Sequence, residues 1–281
     1  MAEQRQAAIV TDEFYVGYLN PVPRGYARRV RAAVMVLALL VVVAAAGIAR
    51  YQAGAGDAVW EMEPVTMTGL FIAAPYPVLM VEGDGPDSPS RTVILVGAGK
   101  CGAFEPSGYC GLLGGSGGPA DREQGRRAAM KIFDGKLVQV KGTRLTRDGR
   151  MMIELEEGER AVVLIPDDSE RLDRLRPELS EGRESTLVGR IVDAKCYLGA
   201  MKPGDGKAHR ACAVRCISGG IPPMLVEGSG EHHRYYLLAH SGGPLDILPF
   251  VGDEVQLSGR VQWQGSDIWL FNLETAGIRR R

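Results

Sequence analysis

From Gly69 the chain reads GLFIAAPYPVLMVEG and then RTVILVGAG, and from Gly189 it reads GRIVDA and, after an interruption, IPPMLVEG and RYYLLAHSG. The two stretches also close alike. FDGKLVQVKG at 133–142 stands against FVGDEVQLSG at 250–259, and each is followed by a turn and a further apolar run, GRMMIEL and SDIWLFNL. Repetition at this spacing makes the halves two copies of one supersecondary unit, which excludes most single-core architectures for the chain. Within each copy, short runs of Val, Ile, Leu and Tyr alternate with polar residues and are broken by Gly, Pro, Asp and Ser, the pattern of a strand-rich unit. Strands of the form G-x-x-V-x-V-x-G followed by a hairpin partner suit a small OB-like barrel, where glycine permits the bend that closes the sheet.

The expected fold is therefore mainly β, with two repeated OB-like barrels. The first spans 65–166 and the second 185–281, joined by a charged linker over 167–184, DDSERLDRLRPELSEGRE, with a short helix in it.

Aligning the copies locates the cysteines. The first copy passes directly from FIAA to PYPVLMV, whereas the second inserts Lys195–Gly219 at that point; the first has its own insertion later, Lys100–Ile132. All five cysteines, Cys101, Cys110, Cys196, Cys212 and Cys216, fall in these insertions. Loops carried on a rigid scaffold are where binding and chemistry concentrate, so a core-filling role for the thiols is disfavoured.

In the second insertion, HRACAVRC places Cys212 and Cys216 four residues apart. On a helix both sulfurs share a face, and His209, three residues before Cys212, joins them. Cys196 folds back across the loop to complete a set of four N/S donors, Cys196, His209, Cys212 and Cys216, suited to tetrahedral zinc. Met201 adds a soft donor suited to copper, and His240, at the end of a following strand, is a further candidate ligand. Two other readings stay open. Cys196 bonds Cys212 or Cys216 while Cys101 bonds Cys110, stapling each loop and leaving one thiol spare; or one cysteine is redox-active or bonds a cofactor, within the positive field of Lys207, His209, Arg210 and Arg215.

The N-terminus adds a membrane element. Ala32–Ala49, AAVMVLALLVVVAAAGIA, carries no charged or polar side chain and reaches roughly 27 Å as a helix, close to the thickness of a bilayer core. Arg24, Arg28, Arg29 and Arg31 precede it, and after Arg50 the next basic residue is Arg91. That asymmetry puts the tail, 1–31, in the cytoplasm, and the barrels, reached through a spacer at 51–64, in the periplasm. Small residues after the run also fit a cleaved secretion signal, but the long basic region ahead of it favours a retained single-pass anchor in the inner membrane, 32–50.

A net charge of −1 and 6% aromatic residues argue against a nucleic-acid partner. The glycine-rich pieces GLLGGSGGPADREQGRR and KPGDGK carry neither a phosphate-loop nor a dinucleotide string, and no H-E-x-x-H is present, so an enzymatic role has no positive support. The stretch DAKCYLGAMKPGDGKAHRACAVRCISGGIPP resembles a group of bacterial membrane-anchored proteins carrying K-C-Y-x-G-x-M-K-P-G and C-x3-C-x2-G-G-I-P-P, a resemblance that brings no assigned activity with it. More loosely, the order of helix and barrel is similar to the periplasmic haem chaperone of cytochrome c maturation, whose V-L-A-K-H-D-E haem-binding string this sequence lacks. The expected function is a non-catalytic, membrane-tethered accessory subunit of an envelope complex that holds a redox centre or metal. The alternatives are a metal or thiol carrier working through Cys196, His209, Cys212 and Cys216, and a disulfide-stapled scaffold.

Overall fold

A computed structural model describes residues 24–53, 58–85, 88–104, 130–156, 161–177, 179–228, 233–240, 247–264 and 267–281. The chain divides into two units, Met1–Gly54 and Ala55–Arg281.

The first unit is a single helix, α1 (Arg24–Ala53). Within Arg24–Arg50 an 18-residue window has a mean hydropathy of 2.8, and the helix is long and apolar enough to cross a membrane. Val34, Leu37, Leu40 and Val43, which lie on successive turns, are all exposed.

The second unit holds two five-stranded closed barrels of one topology. The first comprises β1 (Val59–Ile72), β2 (Val78–Val81), β3 (Arg91–Val96), β4 (Leu137–Arg147) and β5 (Arg150–Leu155), ordered β1-β2-β3-β5-β4 and closed by β1 against β4, with β6 (Val162–Leu164) appended to β4. The second comprises β7 (Leu179–Asp193), β8 (Pro223–Glu227), β9 (Arg234–Ala239), β10 (Glu254–Gln264) and β11 (Trp269–Arg280), ordered β7-β8-β9-β11-β10 and closed by β10 against β7. In each, all pairings are antiparallel except third strand with fifth, β3 with β5 and β9 with β11. The expected pair of OB-like barrels is what the chain forms.

The repeated glycines mark where each barrel bends. A Cβ on Gly69 would stand 2.3 Å from the Met80 carbonyl oxygen, and one on Gly189, its counterpart, 2.3 Å from that of Val226. No side chain fits where strands approach so closely. Gly142 and Gly259 repeat the device in the fourth strands, against Glu154 and Asn272.

Alternating residues of each strand point into and out of its barrel. The first barrel fills with Phe71, Leu79, Val93, Val138 and Ile153, and the second with Ile191, Leu225, Tyr236, Val255 and Phe271. The outward residues of VILV and YYLL are apolar as well, because the barrels pack on each other: Met80, Ile94 and Met152 of the first meet Val192, Tyr235 and Leu237 of the second in one buried seam.

Within the charged stretch after β6, α2 (Ser169–Leu175) is capped by Asp168, whose carboxylate accepts the Arg171 N–H at 3.1 Å. β7 then opens at Leu179, inside the stretch expected as linker. The second insertion forms a π-helical turn, Cys196–Ala200, and α3 (Gly206–Ser218).

Candidate metal centre

The insertion between β7 and β8 does not stand off the scaffold. Cys196, Tyr197, Leu198, Cys216 and Ile221 belong to the seam between the barrels, so Cys196 and Cys216, expected in inserted loops outside the barrel core, lie in a buried interface. Alignment of the copies found where the segment enters, but not that the first barrel covers it.

Each element has a local cause. Asp193 ends β7 and its Oδ1 accepts the Cys196 N–H at 2.8 Å, starting the turn. On α3, His209, Ala213 and Cys216 are buried at i, i+4 and i+7, one helical face, while Cys212 on the adjoining stripe is half-buried. Past α3, the Gly219 carbonyl accepts the N–H of Gly102 from the first barrel at 2.9 Å. From the other side, Arg147 of β4 donates to the Tyr197 carbonyl at 2.9 Å and lies 4.0 Å over its ring.

The result is a cluster of three sulfurs. Cys196 Sγ is 3.9 Å from Cys212 Sγ and 3.8 Å from Cys216 Sγ, and all three atoms lie within 4.8 Å of one another. The expected staple between Cys196 and Cys212 or Cys216 is not formed. A disulfide needs sulfurs about 2.05 Å apart, and the three are free thiols. The other expected pairing, Cys101 with Cys110, involves Cys110, which lies outside the described residues.

Two lysines that sequence reasoning passed over complete the surroundings. Lys100, from the loop after β3, donates to Cys212 Sγ at 2.8 Å and stands 3.9 Å from Cys216 Sγ. Lys195 is buried at 3% exposure, ion-paired with Glu154 at 2.7 Å, and donates to the carbonyls of Gly97 and Gly99 at 2.9 and 2.6 Å. It thereby fixes the loop that carries Lys100. Lys100 is 112 residues from Cys212, so nothing local in the sequence pairs them. The one available signal was its place at the mouth of the other insertion.

The electrostatics make the sulfurs unequal. The hydrogen bond from Cys196 holds the Cys216 thiol below its ordinary range, with the Lys100 charge adding to it. The same bond, then burial, pushes Cys196 well up. The bond to Cys212 holds the Lys100 ammonium above its usual value. The contact between Cys196 and Cys216 thus sets the two thiols apart, with Cys196 the harder to ionise and Cys216 the easier.

His209 falls elsewhere than expected. Its Nε2 faces Asp193 Oδ2 at 3.2 Å, and it forms a second donor group with Asp193 and Cys196, all three buried. His209 is therefore not the fourth vertex of the sulfur cluster, because the buried carboxylate at the end of β7 holds its ring. Asp193, three residues before Cys196, is the functional residue most open to discovery from sequence, as a carboxylate flanking a candidate ligand. His240 is in neither donor group, and Met201 is exposed at 46%.

No family model matches the chain, and no curated protein matches it. Among solved structures it is similar to the one titled "Crystal structure of Ifi202 HINa domain in complex with 20bp dsDNA", at 11% identity and a TM-score of 0.20, covering 79% of this chain and 98% of that one. "Structural mimicry for functional antagonism" matches at 11% identity and a TM-score of 0.20, with 79% and 95% covered. "Crystal structure of the tetrameric p202 HIN2" matches at 9% identity and a TM-score of 0.19, with 79% and 94% covered. The first of these carries DNA, and against it the exclusion of nucleic acid drawn from net charge and aromatic content is withdrawn. Whole-chain charge does not describe any one face. Likeness at this level assigns this chain neither a function nor a partner.

Proposed function

We propose that Cys196, Cys212 and Cys216 bind a d10 metal ion, zinc or copper(I), and that the chain is a membrane-anchored metal-binding accessory protein or carrier. The observation that carries this reading is the sulfur spacing. Tetrahedral coordination at a metal–sulfur distance of about 2.3 Å sets neighbouring sulfurs about 3.8 Å apart, and a trigonal plane about 4.0 Å. The measured separations from Cys196 are 3.9 and 3.8 Å.

Three thiolates suit soft or borderline ions and disfavour magnesium or calcium. Two sulfurs are buried and Cys212 is half-buried, so an ion enters and leaves past Cys212 and Lys100. Arg24, Arg28, Arg29 and Arg31, ahead of the apolar run, support an anchor with its N-terminus in the cytoplasm and the barrels outside, where the centre would serve a redox or metal-containing partner of the envelope.

The test uses the full chain, reduced and anaerobic in detergent, titrated with zinc and separately with copper(I). Binding that protects three thiols from alkylation supports the reading; unchanged alkylation at saturating metal refutes it. A second reading, thiol–disulfide exchange, draws on the low-lying Cys216 thiol next to Cys196. It requires that a mild oxidant join these two cysteines reversibly, which peptide mapping would report.

A further inference from the structure

We infer that Cys196 is a bridging ligand, and that Asp193, Cys196 and His209 form a second metal site, for a borderline divalent ion such as zinc, sharing that sulfur with the first. The inference rests on the proposed three-sulfur site and adds a second ion to it.

The geometry is that of two coordination polyhedra with a common vertex. Donor atoms of Asp193, Cys196 and His209 lie within 4.8 Å of one another, and so do the sulfurs of Cys196, Cys212 and Cys216; only Cys196 belongs to both groups. Bonds of about 2.0 to 2.1 Å from a tetrahedral zinc place a nitrogen and an oxygen donor about 3.3 Å apart. His209 Nε2 and Asp193 Oδ2 are separated by 3.2 Å.

The carboxylate is already aimed. Asp193 Oδ1 accepts the Cys196 N–H at 2.8 Å, which fixes the carboxylate plane and leaves Oδ2 for the ion, the kind of outer support that orients ligands at metal sites.

Charge argues the same way. Asp193 is fully buried, and among the described residues its one ion-pair partner is His209, not a lysine or arginine. The nearby buried ammonium, Lys195, is committed to Glu154. A buried carboxylate is costly unless a cation compensates it, and the Cys196 sulfur adjoins this one. A divalent ion between Oδ2, Nε2 and the Cys196 sulfur supplies that charge, displacing the Nε2 proton where it is present and the Cys196 thiol proton. The donor sets differ in softness: three sulfurs in the first site, and oxygen, nitrogen and one shared sulfur in the second.

The test titrates the reduced full chain in detergent micelles with cadmium-113. Expected are two equivalents bound and two resonances, one in the sulfur-rich range and one displaced toward nitrogen and oxygen ligation, coupled to each other through the shared sulfur. His209→Gln is expected to remove the second resonance and leave the first; Cys212→Ser, to shift or abolish the first and leave the second. One equivalent and one sulfur-rich resonance in the wild type, unaltered by His209→Gln, overturns the bridging site and leaves the three-sulfur site standing. No cadmium bound, or binding indifferent to Cys212→Ser, overturns both. The wild-type stoichiometry decides the matter even where a variant fails to fold.

Discussion

Lys195→Met tests whether the buried ammonium holds the two barrels' loops together. Methionine keeps most of the side chain's apolar volume, so the change removes chiefly charge and donors. What it leaves is Glu154, 18% exposed and 2.7 Å from where the ammonium stood, and the carbonyls of Gly97 and Gly99 without their donor. Removing one partner of a buried ion pair costs about 3 to 5 kcal/mol, and the partial exposure of Glu154 places this case near the lower end, about 3 kcal/mol. For a domain of this size each kcal/mol moves Tm by about 2 to 4 °C, so the expected fall is about 6 to 12 °C. Thermal unfolding of the reduced full chain by calorimetry measures it. The companion variant is Lys195→Met with Glu154→Gln. With no charge stranded, it is expected to recover at least half of the loss. A fall below about 2 °C for the single variant, or a double variant no more stable than the single one, refutes the reasoning.

Gly102→Val pushes a side chain toward the Gly220 carbonyl oxygen, which a Cβ would meet at 2.7 Å, and is expected to destabilise by about 1 to 3 kcal/mol in the same assay. In the reduced, metal-free protein Cys212, the half-buried sulfur, is expected to be alkylated ahead of Cys196 and Cys216, as peptide mapping after a short exposure would report; equal labelling of all three would contradict the described burial. The Asp253 carboxyl is held below its usual range by its hydrogen bond to Arg280, with Arg210 of α3 adding to it, so its contribution is present above the unfolded carboxylate pKa and lost as pH falls through the lowered one. Asp253→Asn is thus expected to lower Tm at pH 7 and to converge on the wild type in strong acid, as melts across that range would show. Bound metal is expected to be released as pH falls, since protons compete for the thiolates; metal retained by the folded protein in strong acid would point to other ligands.

How far the sequence carries depends on the range over which each feature is set. Barrel topology was legible because it is local and stated twice: Gly69 and Gly189 recur at matching points since each must let a neighbouring strand pass. The meeting of Cys196 with Cys212 and Cys216 was legible as well, from a helical spacing of four and an intervening loop. What the spacing could not give was the fourth neighbour. His209 has the right helical offset, yet Asp193 claims it, because a buried carboxylate captures the nearest donor. Lys100 and Lys195 act across the seam between barrels, and no pattern within either copy records that packing. The expected staple of Cys196 to Cys212 or Cys216 is not formed, while Cys101 of the other insertion is disulfide-bonded. Reading the insertion as an addition outside the barrel core missed that the first barrel covers it, with free Cys196 and Cys216 buried and Cys212 half-buried.

Metal content of the reduced full chain, compared with the variant carrying Cys196→Ser, Cys212→Ser and Cys216→Ser together, tests the central claim most directly. The account expects at least one equivalent of zinc or copper(I) to stay with the wild type through dialysis against free metal-binding buffer, and none with the triple variant, while both show the same strand content by circular dichroism. Equal metal content in the two folded proteins, or none in either, would contradict it.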